Sequence, residues 1–187
     1  MKTALLLIDV INRFDWDGAD ALIGPALRMA ERLTELRQAA TDAGVPVVYV
    51  NDNFDDWARD FSSLVEDIVE RDLPGRPIVE MLRPRVGDLY ILKPRHSGFH
   101  ATPLEILLRR LEVDRLVLTG LQTHICVLFT AHAAHMRNFE IVVPADCCAA
   151  ERVEDHDSAL RLLASGFDID VRPAGENDPF AARLLRP

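Results

Sequence analysis

Short, continuous apolar runs alternate along the chain with longer stretches in which apolar residues recur every three or four positions. Thr3 to Ile8 is almost wholly apolar and reads as a strand buried on both faces of a sheet. Ala19 to Ala43 carries helical periodicity and stops at Gly44, with Pro46 beyond it, a common way for a helix to end. Val45 to Val50 reads as a second strand. Phe61 to Leu73 reads as a helix closed by Pro74-Gly75, and Asp88 to Leu92 as a third strand. Thr102-Pro103-Leu104-Glu105 carries the signals of a helix start. Thr102 can cap, Pro103 suits the first turn, and Glu105 can reach back as a capping box. Arg115 to Leu118 reads as a fourth strand ended by Gly120. A helix is expected from Thr123 to Arg137, a fifth strand over Ile141 to Val143, a helix over Val153 to Ala164 and a last strand over Asp168 to Val171. The chain from Ala174 reads as a loosely attached tail.

Strand–helix alternation of this kind predicts an α/β fold. The expected form is a doubly wound, mostly parallel sheet of about six strands with helices on both faces. No repeat, low-complexity stretch or linker interrupts it, so residues 1–187 are expected to form a single domain.

Composition narrows the partners. The chain has 187 residues, of which 49% are apolar and 27% charged, with a formal net charge of -9. That charge argues against nucleic acid, because phosphate binding needs clustered Lys and Arg. No apolar run approaches the ~20 residues needed to cross a bilayer, so no membrane partner is expected. Ala4 to Ile8 has the apolar character of a signal-peptide core, but Asp9 interrupts it and no small-residue cleavage site follows; a buried strand is the better reading. Cys126, Cys147 and Cys148 make an odd count, which fits a reducing compartment and a cytoplasmic location. The expected partners are a small-molecule substrate and further copies of the same chain.

In open α/β sheets, ligands bind beyond the carboxyl ends of the strands. Asp9 ends the first strand, Lys93 ends the third, and Cys126 follows the fourth. Taken singly, each has a plain structural reading. A strand-terminal Asp is often a turn residue, a lone Lys is usually solvated, and a lone Cys is usually a small buried hydrophobe. That plain reading is the one adopted for Cys147 and Cys148. Three converging on one edge point instead to chemistry. A Cys126 in the first turn of a helix capped by Thr123 would be favoured as thiolate by the helix dipole and by a neighbouring Lys93 ammonium. Asp9 could accept the thiol proton and return it to a leaving amine, and backbone N–H groups between Gly120 and Cys126 could hold an oxyanion.

These segments resemble the isochorismatase-like cysteine hydrolases, which include nicotinamidases, N-carbamoylsarcosine amidohydrolases and ureidoacrylate amidohydrolases. The resemblance covers nearly the whole chain. It is carried by Ala4-Leu5-Leu6-Leu7-Ile8-Asp9 with Phe14, by Val47-Val48-Tyr49-Val50-Asn51-Asp52, and by Lys93-Pro94-Arg95-His96-Ser97-Gly98-Phe99 with Thr102 and Leu104. It continues through Leu118-Thr119-Gly120-Leu121-Gln122-Thr123-His124-Ile125-Cys126-Val127, Thr130-Ala131 and Asp146. The resemblance implies a catalytic triad of Asp9, Lys93 and Cys126, a cis peptide at Leu121-Gln122, and oxyanion donors at the backbone of Gln122 and Cys126. Two departures stand out. Members usually carry Gln two residues after the Asp, where Ile11 stands here with Asn12 next. Nicotinamidases bind a metal through Asp-x-His after the second strand, where this chain reads Asp52-Asn53-Phe54; no metal and no cofactor are therefore expected. True isochorismatases lack the nucleophilic Cys, so Cys126 implies amide-like chemistry.

Phe14, Asn53, Trp57 and Phe99 are candidate walls of the substrate pocket, with Trp16 and Phe54 beside them. His96, His100 and His124 lie near the expected site and could contact substrate, although His124 is expected to point away from the thiol. His132 and His135 can share one helix face; without a third ligand at zinc-like spacing, they suit helix packing or a subunit contact. The resulting expectation is a hydrolase cleaving a C–N bond of a small amide, carbamoyl or ureido compound through a thioester on Cys126. The alternatives are ether hydrolysis of the isochorismatase type using Asp9, or a binding protein on the same fold without turnover.

Overall fold

The computed structural model describes residues 1–176 and 179–180. Strands β1 (Thr3–Ile8), β2 (Val47–Asp52), β3 (Leu89–Lys93), β4 (Arg115–Leu121), β5 (Glu140–Val142) and β6 (Cys148–Ala149) form one sheet in the order β3-β2-β1-β4-β5, with β6 also pairing β4. Every pairing is parallel. The helices are α1 (Asp20–Asp42), α2 (Phe61–Glu70), α3 (Arg76–Met81), α4 (Leu104–Arg110), α5 (Leu128–His135) and α6 (Val153–Phe167). A π-helical turn, Thr123–Val127, leads into α5. No helix among the described residues is long and apolar enough to cross a membrane.

The unbroken apolar run of β1 makes it the central strand. Alternation along it sends Leu5 and Leu7 into one core with Leu22, Met29, Leu33 and Ile68. Ala4, Leu6 and Ile8 enter a second core with Leu108, Val127, Ala134 and Leu163. All five of those β1 apolar side chains are fully buried, each contributing on the order of 1–3 kcal/mol of transfer free energy. The chain adds β2 and β3 on one side of β1, then crosses to add β4 and β5 on the other. The order therefore reverses between β1 and β4, where open α/β sheets leave a crevice beyond the strand ends.

Several sequence expectations need correction. The helix expected to reach Leu73 ends at Glu70, and a separate helix, α3, follows Pro74-Gly75 with Pro77 in its first turn. The strand expected over Asp168 to Val171 amounts to one bridge, Val142 to Asp170, and the sixth strand is Cys148–Ala149, too short to leave a periodic signal. The capping box at α4 does not form. Pro103 is the N-cap, Thr102 Oγ1 accepts the Leu104 N–H at 3.3 Å, and Glu105 instead pairs with Arg109 and Arg137. The tail is anchored at its start, where the Ala174 N–H donates to Asp146 at 2.8 Å and Phe180 packs on the first core; residues 177–178 and 181–187 lie outside the described residues.

Gly120 sits beside Ile8 in the β1–β4 register with φ +107°. A Cβ there would lie 2.0 Å from the Ile8 carbonyl oxygen, so only glycine lets the two strands end side by side. Gly120→Ala should destabilise the protein by well over ~1 kcal/mol, because both the dihedral and the contact oppose a side chain. Urea unfolding checks this; a midpoint equal to the wild type would refute it.

Candidate active site

Four neighbouring strands, β3, β2, β1 and β4, each deliver one polar group to the same edge of the sheet. Lys93 closes β3 and its side chain is fully buried. Its ammonium lies 2.9 Å from Asp9 Oδ2, 3.3 Å from Asp52 Oδ2 and 3.6 Å from Cys126 Sγ. The neighbouring Asp9 carboxylate acts on the same thiol electrostatically. The structure thus brings Asp9, Lys93 and Cys126 together around one buried cation.

Asp9 follows β1 in a left-handed conformation, φ +51°, a region costly for most residues but tolerated by Asp. The Asp52 N–H donates to its Oδ1 at 2.7 Å. Asn51, fully buried on β2, clamps the next turn: its Oδ1 accepts the Ile11 N–H at 3.1 Å and its Nδ2 donates to the Ile11 carbonyl at 3.0 Å. Ile11, the departure from the family pattern, is therefore held through its backbone while its side chain enters the core.

The electrostatics follow from burial. Burial pushes the Asp9 carboxyl above the ordinary aspartate range, and the Lys93 ammonium only partly offsets it. Burial alone would lower the Lys93 ammonium, but Asp9, Cys126 and Asp52 outweigh it and the net shift is upward, so Lys93 is charged. Burial and the Asp9 charge raise the Cys126 thiol despite the pull of Lys93. This corrects the expectation of a favoured thiolate. The turn bearing Cys126 is π-helical, its N-cap is Gln122, and Thr123 makes no capping bond; its Oγ1 lies 2.8 Å from His156 Nδ1 instead.

The Leu121-Gln122 peptide is cis, as the resemblance implied. The Gln122 carbonyl accepts the N–H groups of Ile125 and Val127 at 3.0 and 3.2 Å, fixing the turn at its first residue. The pocket candidates divide. Phe14 and Phe99 are buried members of the two cores, with Phe14 stacked on Trp16 at 5.5 Å and Phe99 lying under Arg137; aromatic type at these positions reports core packing. Asn53 is buried beside the site, its N–H donating to the Lys93 carbonyl at 3.1 Å. Trp57 is 76% exposed on the loop after β2. His96 and His100 are exposed and His124 is partly buried. His132 and His135 both set their edges on Phe167 of α6, the helix-packing role expected of them.

The main residue missed from sequence is Asp52, read there only as half of a lost metal motif. Its Oδ1 accepts the Phe54 N–H at 2.7 Å and its Oδ2 faces Lys93, so both oxygens are committed. With a phenyl ring at position 54, the residues present do not fit a nicotinamidase-type metal site. Among the described residues, no group of three or more His, Cys, Asp or Glu is arranged to hold a metal. The signal for Asp52 was its place at the end of a continuous apolar strand, the same signal that marked Asp9.

A parallel α/β sheet that gathers Asp, Lys and Cys at its switch point defines the class, and the comparisons supply the family. The family model described as the isochorismatase domain matches residues 3–170, and the chain belongs to the isochorismatase family. It is 32% identical over 160 residues to an uncharacterized isochorismatase family protein of Bacillus subtilis, YaaI, covering 86% of this chain and 87% of that protein. It is 30% identical over 182 residues to the maleamate amidohydrolase of Pseudomonas putida, covering 91% and 80%. Among solved structures, the N-carbamoylsarcosine amidase of Thermoplasma acidophilum superposes with a TM-score of 0.74 at 28% identity, covering 95% of this chain and 99% of that one.

Cys126 is partly exposed, whereas Cys147 and Cys148 are buried; burial raises all three thiols, so access is what separates them. Limiting iodoacetamide should therefore modify Cys126 first. Peptide mass spectrometry checks this, and earlier labelling of Cys147 or Cys148 would count against it.

Proposed function

We propose that this protein is a hydrolase of carbon–nitrogen bonds other than peptide bonds, and specifically a cysteine hydrolase acting on a small amide, carbamoyl or ureido compound. The observation that carries the reading is the Lys93 ammonium placed against both Asp9 and Cys126, at 2.9 and 3.6 Å. The names of two relatives, maleamate amidohydrolase and N-carbamoylsarcosine amidase, support the bond type.

The chemistry follows from the proton positions. At rest the thiol is neutral, raised by burial and by the neighbouring Asp9 charge. As the sulfur attacks the substrate carbonyl carbon, its proton passes to Asp9, a better acceptor than an ordinary aspartate because burial has raised it. The backbone N–H groups of Gln122 and Cys126 are the assigned donors to the developing oxyanion, and Lys93 holds the thiolate charge. Collapse breaks the C–N bond, and Asp9 gives its proton to the leaving nitrogen. A thioester remains on Cys126. Water then attacks it, Asp9 takes the water's proton, and the acid product leaves as the thiol recovers its hydrogen. The site asks for no metal at any step.

A screen for ammonia release over small amides and ureido acids tests the class, and an inactive wild type across that screen would remove the reading. On the substrate found, Asp9→Asn should lose at least ~100-fold in kcat with the fold retained. Asp9 must be deprotonated to accept the thiol proton, and its pKa is raised. Turnover should therefore fall as pH drops through a value above the ~3.9 of an ordinary aspartate. Near-normal kcat in a folded Asp9→Asn variant would take Asp9 out of the mechanism.

Metal removal gives a separate expectation. Since Asp52 is committed to Lys93 and Phe54 cannot ligate, EDTA-treated enzyme should keep its full activity. A loss that zinc restores would overturn the metal-free mechanism.

A further inference from the structure

The turn that carries Cys126 begins without a side-chain cap. Its first residue, Thr123, is fully buried, three positions before the thiol. A buried hydroxyl needs a partner, and the partner comes from a distant part of the chain: His156 Nδ1, in the first turn of α6, 2.8 Å from Thr123 Oγ1. This bond is a side-chain tie between α6 and the start of the turn. It acts at the residue that follows Gln122, whose carbonyl anchors the turn through the Ile125 and Val127 N–H groups.

His156 reaches this position past a cavity of about 430 Å³ lined by Arg28 and Glu31 of α1, by Asp146 and by Ala149 of β6. Neither the residues of the turn nor the reacting groups Asp9 and Lys93 line it. Charged neighbours are Asp157 on α6, Arg28, Glu31 and Arg32 on α1, and Asp146 before β6. Near the turn, the Gln122 side chain donates to Glu151 at 3.4 Å. Burial lowers the His156 ring below the usual histidine range, so at neutral pH the imidazole is uncharged and its Nδ1 can accept the Thr123 hydroxyl proton.

We propose that His156 is a positioning residue for the nucleophile: through Thr123 it holds the start of the turn, and so keeps the Cys126 sulfur against Lys93 and Asp9. The inference rests on the cysteine-hydrolase reading for its consequence in turnover, while its geometric content is independent of that reading. Without the tie, Thr123 would bury an unpaired hydroxyl, and the turn would shift to satisfy it. A small displacement of the sulfur is enough to weaken a contact of 3.6 Å.

The pH profile of Cys126 alkylation tests this without any substrate. In the wild type the profile should lie above that of an ordinary thiol, because burial and Asp9 raise it. In His156→Ala and in Thr123→Val it should move down toward the ~8.5 of a free cysteine as the sulfur leaves its buried contact. The double variant should move no further than either single one, since both remove the same bond. His156→Asn should restore most of the wild-type profile, because Asn Oδ1 can stand where Nδ1 stands. With a substrate in hand, His156→Ala should lower kcat roughly ten-fold while leaving KM within about two-fold. An alkylation profile in His156→Ala that superimposes on the wild type would overturn the proposal, as would Asn behaving no better than Ala. If His156→Ala does not fold, Thr123→Val and His156→Asn make the same comparison. Failure of the amide screen with the expected alkylation shifts would discard the hydrolase reading and keep the positioning role.

Discussion

The site is organised by a single buried cation. An isolated ammonium withdrawn from water costs several kcal/mol, and Lys93 is withdrawn completely. It is tolerable only because β1, β2 and the turn after β4 each present a partner within 3.6 Å. The converse also holds: without the ammonium, Asp9 and Asp52 would be neighbouring carboxylates with nothing between them. Sheet register supplies the arrangement. Asp52 pairs with Lys93 across β2 and β3, and Ile8 pairs with both Val50 and Gly120, so the polar strand ends are level. The glycine at 120 is part of the same device, since its close approach to Ile8 brings the turn after β4 to the cation.

That cation does not make a standing thiolate. Burial and the negative charge of Asp9 outweigh it at the sulfur. A thiol kept neutral at rest is protected, because thiolates are the form that oxidants attack. The proposed proton transfer then runs from sulfur to a carboxylate already raised by burial, and the ammonium stabilises the charge left behind.

The central strands were legible because β1, β2 and β4 contain continuous apolar runs, and such runs specify burial on two faces. Asp9 and Lys93 were legible for the same reason: a charged residue that stops an apolar run must sit at a strand end. Asp52 carried the identical signal, yet its role depends on where Lys93 points, which only register reveals. Phe14 and Phe99 are buried among the two cores, and an aromatic residue near a site in sequence looks the same whether it faces ligand or core. Strand β6 was invisible because two residues have no period. Glu105 had the right spacing for a cap, but spacing does not announce the competing guanidinium of Arg137 from another helix. The Thr123 to His156 bond joins positions 33 apart, and no local pattern marks it.

The departures from the family pattern form one physical unit. Here Phe54 offers only its N–H, and Asp52 turns inward to share the ammonium with Asp9. Two carboxylates and one ammonium leave an excess of one negative charge around the thiol. Burial sets the direction of both shifts, and the Asp9 charge adds to it at the sulfur: Asp9 holds a proton more readily than usual, and Cys126 gives one up less readily. The excess charge also constrains what can approach. A negatively charged group brought against the sulfur would add to an uncompensated charge in a place with little solvent to screen it. An uncharged carbonyl, such as that of an amide, carbamoyl or ureido group, meets no such barrier. It also provides the electrophile that lets the excess charge move away from the sulfur and onto the oxyanion. On the proposed reading, the charge of the cluster favours neutral acyl centres as substrates.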